Sequence, residues 1–438
     1  MHKWTHPLDN LLNNISTNPN NSKLYRTGLF LNNSLNPDEK TEFVTSDGSR
    51  NVKWYICGPT VYDSAHLGHA RTYLSFDILR RVMEKYFGYN ISLCMNVTDI
   101  DDKIINRSNE QNKDYLEFTK FYEDEFFSDM KKLNVSYPNY ITRVSEYIDE
   151  IVQFIKVLVE KNYAYVSNGS VYFDIENYTK CDHIYAKLDP NKIKSNELKV
   201  SDLDGDLAVG TDLDKKNKGD FALWKKSKDN EPAWDSPFGS GRPGWHIECS
   251  AMCSTVFGDK LDIHCGGCDL KFPHHDNEIA QSEAYFDVSQ WTNYFLHTGH
   301  LNIEGLKMSK SLKNFKKISE FIDKYNANTF RLFFITHSWD SDMNFTEDAL
   351  REAYETEKYI GEFFQNLKVW IRENDMKKTL KPDSIDNNMN ELLYERKLYI
   401  HEALCNNINT PPVVKTIIEL ISKFYEYETK TRGTESRH

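Results

Sequence analysis

The sequence predicts an α/β fold: a parallel sheet interrupted by an inserted α+β module and followed by a C-terminal α-helical bundle. Three observations carry this prediction. The run Trp54-Tyr55-Ile56 is strand-like and stops at Gly58-Pro59, where a helical pattern takes over. A helix-length segment, Tyr73 to Phe87, then leads to a second apolar run, Ile91 to Val97, which makes a βαβ unit and a Rossmann-like parallel sheet. Beyond Ser319 apolar residues recur at helical spacing, at Phe321 to Phe334, Ala349 to Trp370, Leu392 to Cys405 and Val413 to Tyr427.

The chain has 438 residues, 39% of them hydrophobic and 13% aromatic, which is room for two to three domains with packed cores. No stretch approaches the roughly 20 apolar residues of a membrane span, and the N-terminus lacks the apolar core of a secretory signal. A cytoplasmic location without membrane contact is therefore expected. Eight cysteines at uneven spacings predict buried thiols or metal ligands in a reducing compartment, not a disulfide framework. The net charge of −12 argues against indiscriminate nucleic-acid binding, and no DNA partner is expected. Structured RNA met by local patches remains compatible with it. Lys316-Lys317, Lys377-Lys378 with Lys381, and the basic residues between Lys423 and Arg437 are such patches, although each alone reads as a solvated helix face.

In chain order, residues 1–50 are Asn-rich and read as an extended lead-in, not a domain. Residues 51–107 form the first half of the sheet domain. Residues 108–235 read as an inserted module: two amphipathic helical stretches, a short strand at Val171 to Ile175, and a polar acidic run from Lys180 to Lys228. Asp202, Asp204 and Asp206 in that run resemble part of a calcium loop, but the glycine and glutamate such a loop needs do not follow. Residues 236–300 resume the sheet domain, 301–345 carry a lysine-rich loop region, and 346–438 are the helical bundle.

The chemistry gathers at residues 54 to 71. His66 and His69 are three apart and project from one face near a helix start, beside backbone N–H groups and the positive dipole end, with Gly68 leaving room for a ligand. Asp63 or Ser64 is the expected cap. As a bare pattern, two such histidines are surface or packing residues. The polar run Thr98-Asp-Ile-Asp-Asp-Lys103 follows the second strand directly, where open α/β sheets bind ligands. Two metal readings compete. Cys265-x-x-Cys268 has the spacing of a zinc knuckle but lacks a second pair. Cys57, Cys249, His274 and Glu278 form a mixed sulfur, nitrogen and oxygen set that suits Zn²⁺, the last two sharing one helix face. Any one of these four alone reads as a core residue. Lys307-Met-Ser-Lys310-Ser311 puts two cations and two hydroxyls on a short segment apt for a polyanion.

His66-Leu-Gly-His69 and Lys307-Met-Ser-Lys-Ser311 resemble the two signature sequences of class I aminoacyl-tRNA synthetases, in order and separation. Tyr55-Ile-Cys-Gly-Pro-Thr-Val-Tyr-Asp63, Asn96-Val-Thr-Asp-Ile-Asp-Asp-Lys103, Gly244-Trp-His-Ile-Glu-Cys-Ser-Ala-Met252 and Phe272-Pro-His-His-Asp-Asn-Glu278 narrow the resemblance to the cysteinyl-tRNA synthetase family. It covers most of the chain from about residue 50 to 430. The resemblance implies one zinc ion on Cys57, Cys249, His274 and Glu278 that takes the thiolate of L-cysteine, with Glu278 the ligand readiest to loosen. It implies that Gly58, Thr60, Thr98, Trp245 and His274 frame the amino acid. His66, Gly68, His69, Lys103, Gly267, Asp269 and Lys310 would hold ATP and its Mg²⁺, and His66, His69, Lys307 and Lys310 would stabilise the reacting phosphate. The implied partner is tRNA(Cys). The C-terminal segment after Asn409-Thr-Pro-Pro-Val resembles the start of the family's later bundle helices, so the anticodon-reading region is expected to be shortened. Alternative readings are a relative that joins activated cysteine to a small amine, and a non-catalytic zinc- or RNA-binding protein on the same scaffold.

Overall fold

The computed structural model describes residues 4–17, 24–194, 214–228, 231–307, 314–373 and 383–435. Helix α1 (Pro7–Thr17) and the hairpin β1 (Phe30–Asn33) and β2 (Asn36–Glu42) precede β3 (Asn51–Ile56), α2 (Leu67–Lys85) and β4 (Asn90–Val97). Next come α3 (Asp102–Glu110), α4 (Tyr115–Lys132), β5 (Tyr140–Arg143), α5 (Ile148–Glu160), β6 (Ala164–Ser167), β7 (Ser170–Phe173), α6 (Ile175–Lys180), α7 (Pro190–Lys194), β8 (Phe221–Lys226) and β9 (Gly241–Pro243). The sheet domain resumes with α8 (Trp245–Phe257), β10 (Leu261–Gly267), α9 (Asp276–Phe286) and β11 (Thr292–Thr298). Strands β12 (Leu301–Ile303) and β13 (Leu306–Lys307), helices α10 (Ser319–Ile322) and α11 (Ala327–Ile335) and strand β14 (Met343–Phe345) lead to the long helices α12 (Glu347–Glu373), α13 (Ser384–Cys405) and α14 (Thr410–Glu435).

The central sheet has strand order β11-β10-β3-β4-β5 with every neighbouring pair parallel. Alternation along β3 decides its two faces. Trp54 and Ile56 join Met95, Ile263, Cys265 and Leu296 in the core under α2, while Tyr55 and Cys57 face α8 and α9 with Cys249, Cys253, Ile279 and Phe295. All of these side chains are at most 5% exposed, and full burial of each large apolar one contributes about 1.5–3 kcal/mol. The α/β class with a C-terminal helical region is as the sequence predicts.

Two local readings differ. From residue 24 onward the Asn-rich lead-in packs on the body of the protein: Leu29, Leu31 and Phe43 are fully buried in the main core, while Phe30 between them is exposed. Composition averaged over polar turns hid them. Residues 140–143, which the sequence pattern assigns to the inserted module, form the edge strand β5 of the central sheet, pairing Cys94 to Val97 with Tyr140 to Arg143. The separate antiparallel sheet β6-β7-β8-β9 follows it, with its own buried cluster around Phe173, Tyr178, Phe221 and Trp224.

Candidate active site

Chain order reverses direction in the sheet between β3 and β10, and the carboxyl ends of these two strands open a crevice, where α/β sheets bind ligands. A cavity of about 440 Å³ lies there. It is lined by Gly58, Thr60, Thr98, Trp245 and His274 at one end and by His66, Gly68, His69, Lys103, Gly267 and Asp269 at the other. The described residues that the sequence assigned to amino acid or nucleotide, apart from Lys307, line this one space. Gly58 is required sterically: a Cβ there would lie 1.6 Å from the carbonyl oxygen of Asn96. The Asn96 side chain also accepts from the Gly58 N–H at 2.8 Å, so β4 clamps the turn that follows β3.

Cys57, at the end of β3, meets Cys249 of α8 and His274 and Glu278 around the start of α9. Their ligand atoms all lie within 4.8 Å of one another, and all four are buried. Cys57 Sγ is 3.8 Å from Cys249 Sγ and 3.5 Å from Glu278 Oε1, and Glu278 Oε1 is 3.1 Å from His274 Nε2. Burial works to raise the Glu278 carboxyl, but the imidazoles of His264 and His274 outweigh it and hold it at about 2. Burial raises the Cys57 thiol, whereas the hydrogen bond from Cys57 lowers that of Cys249. Burial opposes protonation of His274, yet Glu278 and Cys249 together lift it to about 10. A fully buried carboxylate beside a thiol biased toward thiolate is an environment that draws in a cation, so the cluster could hold a metal ion. Glu278 is held from both oxygens, by His274 at Oε1 and by His264 Nε2 2.8 Å from Oε2.

A wall of imidazoles behind this cluster carries no role in the sequence reading. His246 Nδ1 lies 3.0 Å from His274 Nδ1, His275 Nε2 lies 3.4 Å from Cys57 Sγ, and His275 Nδ1 lies 2.8 Å from His297 Nε2. Burial holds both His275 and His297 well below the usual imidazole range. A second potential donor set, Cys57, His264, His275 and Glu278, overlaps the first. The signal available in the sequence was strand position: His264 lies opposite Tyr55, and His297 opposite Gly266, near the carboxyl ends of adjacent parallel strands.

At the other end, His66 itself caps α2, in place of the expected Asp63 or Ser64. Its Nδ1 accepts from Gly68 N–H at 3.1 Å and His69 N–H at 3.3 Å, and His69 Nδ1 accepts from His66 N–H at 3.3 Å. Both Nδ1 atoms therefore act as acceptors, which leaves the proton of each neutral ring on Nε2. Burial, and then His66, holds His69 well below the usual range. Asp269 folds back over Gly267, where a Cβ would come within 2.5 Å of its Oδ1, and Lys103 stands exposed 5.7 Å from the Tyr62 ring. The chain that follows the lysine loop is seated on the same turn: Leu67 N–H donates to Lys316 O at 3.0 Å, and Phe315 packs edge-on to His66 at 4.9 Å.

Lys310, the lysines at 377, 378 and 381, and the acidic run at 202–206 lie outside the described residues, and Lys307 is described in its backbone alone, as the end of β13. Cys265 and Cys268 do not converge. Cys265 is buried and accepts from Trp54 Nε1 at 2.9 Å, while Cys268 groups instead with Asp269 and His300. No described helix is long and apolar enough to cross a membrane.

A family model described as the tRNA synthetases class I (C) catalytic domain matches residues 43–355. The chain is 48% identical over 404 residues to the cytoplasmic cysteine–tRNA ligase of Dictyostelium discoideum, covering 92% of this chain and 61% of that one. It is 39% identical over 503 residues to the cytoplasmic cysteine–tRNA ligase of Gallus gallus, covering 91% of this chain and 67% of that one. The chain thus spans 61% and 67% of the lengths of these two relatives. Among solved structures, methionyl-tRNA synthetase of Mycobacterium tuberculosis in complex with methionyl-adenylate aligns with a TM-score of 0.69 at 12% identity, over 88% of this chain and 84% of that one. The ternary complex of Agrobacterium radiobacter K84 agnB2 LeuRS with tRNA and LeuAMS aligns with a TM-score of 0.64 at 10% identity, over 89% and 82%. At such identities these two likenesses concern the fold.

Proposed function

We propose, on the premise that this chain belongs to the class I (C) tRNA synthetase family, that it activates L-cysteine with ATP and joins it to tRNA(Cys). The observation that carries this reading is the convergence of Cys57, Cys249, His274 and Glu278 at one end of a cavity whose other end is lined by His66 and His69. The donor set suits zinc. Bound there, zinc would supply a soft Lewis acid for the substrate's thiolate, a distinction from serine that shape alone makes only about 10²-fold.

The chain's own residues supply the rest. Thr60, Thr98 and Trp245 flank the amino acid, and Gly58 lets the turn that bears Thr60 close against Asn96. The cysteine carboxylate attacks the α-phosphorus as its bond to the pyrophosphate oxygen breaks, giving cysteinyl-adenylate. His66 and His69 carry their ring proton on Nε2, because their Nδ1 atoms accept from the helix backbone, and would donate it to phosphate oxygens. These donors, the dipole of α2 and Lys310 stabilise the developing charge, with Mg²⁺ as the counter-ion of ATP. Gly267 and Asp269 take the adenosine, Asp269 accepting from a ribose hydroxyl. The terminal adenosine of tRNA then attacks the carbonyl through its 2′-hydroxyl and AMP leaves. No protein nucleophile is required, because positioning and charge stabilisation suffice.

The cytoplasmic names of the relatives support a cytosolic location. Phosphate-side residues lining the same cavity as the donor cluster disfavour a non-catalytic scaffold protein. Charging of tRNA(Cys) with labelled cysteine is the test. Transfer to tRNA supports the reading, and transfer only to small amines overturns it.

A further inference from the structure

We propose that Cys268, Asp269 and His300 form a second, exchangeable zinc site at the nucleotide end of the crevice, and that an ion bound there competes with ATP. The competition rests on the reading of Gly267 and Asp269 as the adenosine contacts, and the site itself does not.

Parallel register brings the three donors together. Gly267 on β10 lies opposite Thr298 on β11, so the residues that follow each strand leave the sheet side by side. After Gly267 the chain makes a single 3₁₀ turn, Cys268 to Leu270, and His300 stands two residues beyond Thr298. The sulfur, a carboxylate oxygen and an imidazole nitrogen then lie within 4.8 Å of one another. His300 is fixed by its backbone: its N–H donates to Asp342 at 2.7 Å and its carbonyl accepts from Met343 N–H at 2.9 Å. Gly299 before it is equally confined, since a Cβ there would lie 2.1 Å from the Ser341 carbonyl carbon. The ring is thus presented from a firm strand exit, and small side-chain rotations suffice to close the three donors on an ion.

The donor set selects the metal. Mg²⁺ and Ca²⁺ take oxygen ligands, whereas a sulfur, nitrogen and oxygen set suits zinc. Three protein ligands leave a coordination position for water. The cluster at Cys57 has four buried donors, but Cys268 and His300 are half-buried and Asp269 is exposed, so an ion here meets solvent and exchanges. The local charge permits it, because the buried Arg71 guanidinium is countered by Asp340, Asp342 and Cys268 itself. Cys265, three residues earlier, takes no part, being turned to Trp54.

The consequence runs through Asp269. With Gly267 and His300 it lines the cavity, and its carboxylate is the acceptor for the ribose hydroxyl. An ion on that carboxylate occupies the space beside Gly267 that the ribose needs. Zinc beyond what fills the first cluster therefore lowers the affinity for nucleotide.

The test is equilibrium dialysis of zinc-loaded protein against buffered free Zn²⁺, with and without adenosine, which lacks the phosphates that chelate zinc. The wild type is expected to bind a second equivalent. Cys268→Ala and His300→Gln should lose it or bind it at least about tenfold more weakly, while Cys249→Ser should retain it. Saturating adenosine should weaken the second Kd about fivefold or more. In pyrophosphate exchange, excess zinc should raise KM for ATP in the wild type but not in Cys268→Ala. A single equivalent in the wild type, or a second one kept at the wild-type Kd in either Cys268→Ala or His300→Gln, overturns the proposal. Adenosine binding is also measured with the second site empty. No binding there overturns the nucleotide reading and the competition with it, whereas binding that leaves the second Kd unchanged overturns the competition alone. Dialysis needs no turnover, so absence of exchange in the wild type would overturn the assigned activity while leaving the metal result to stand on its own.

Discussion

Cys57 Sγ and Cys249 Sγ lie 3.8 Å apart although 192 positions separate them in the chain. One ends the first strand of the central sheet and the other lies in the helix that re-enters the sheet domain after the inserted module, so the contact exists only once the interrupted halves have closed. Replacing Cys249 with Ser keeps the volume and removes the soft donor. Bound zinc, measured by mass spectrometry after dialysis against a competing chelator, is expected to fall more than about tenfold in affinity. Full retention of zinc would assign the ion to other residues.

The clamp at Gly58 has a steric signature. Gly58→Ala drives a Cβ to 1.6 Å from the Asn96 carbonyl oxygen, a backbone atom that cannot swing away. A loss of about 1–3 kcal/mol is expected. Gly361→Ala, whose Cβ meets nothing within 4 Å on α12, should leave the melting temperature unchanged or slightly raised. Equal melting temperatures for the two variants would contradict the close approach.

His66 combines a cap with a candidate phosphate donor, and the two can be separated. Asn caps helices well, so His66→Asn should melt near the wild type while losing the distal N–H. His66→Ala should lose about 1 kcal/mol in addition. Adenylate formation is expected to drop about 10²-fold or more in both. A wild-type rate in His66→Asn would reduce the residue to a cap.

Glu283 on α9 supplies a pH dependence away from the site. Burial raises its carboxyl to about 7 against the opposing effects of Lys187 and Tyr178. A carboxyl raised on folding binds its proton more tightly in the native state, so its contribution is complete below the unfolded value and lost as pH rises through the folded one. The window runs from roughly 4.3 to 7 and spans on the order of 3–4 kcal/mol. Glu283→Gln, which mimics the protonated carboxyl, should show a flatter melting profile across that window. A profile parallel to the wild type would refute the assignment.

The strand-turn-helix at 54–71 was legible because a parallel strand, a breaking Gly-Pro pair and a helix are local patterns, and so was the grouping of Cys57, Cys249, His274 and Glu278, because the thiols and the i, i+4 His–Glu pair stand out by residue type. His264, His275 and His297 were not assigned a role, since each looks like an ordinary strand or helix residue until the parallel register sets them side by side. The cap at His66 was missed because imidazole is an uncommon cap, and Asp63 and Ser64 were better candidates by residue type. The hairpin at 30–42 was missed because the inward residues at and beside it, Leu29, Leu31 and Phe43, are scattered among polar residues and find partners far along the chain, as Phe43 does against Tyr89 and Tyr294. In each case the missing information was long-range.

The central claim is that the turn carrying Cys57 and His66 couples thiol recognition at one end of the crevice to phosphate chemistry at the other. Cysteine-dependent ATP–pyrophosphate exchange, run with serine as competitor before and after zinc removal, tests it most directly. The account predicts exchange with cysteine that serine does not inhibit at comparable concentration, loss of that exchange when zinc is removed, and recovery when zinc is restored. Exchange that persists undiminished without zinc, or that serine supports equally well, would contradict it.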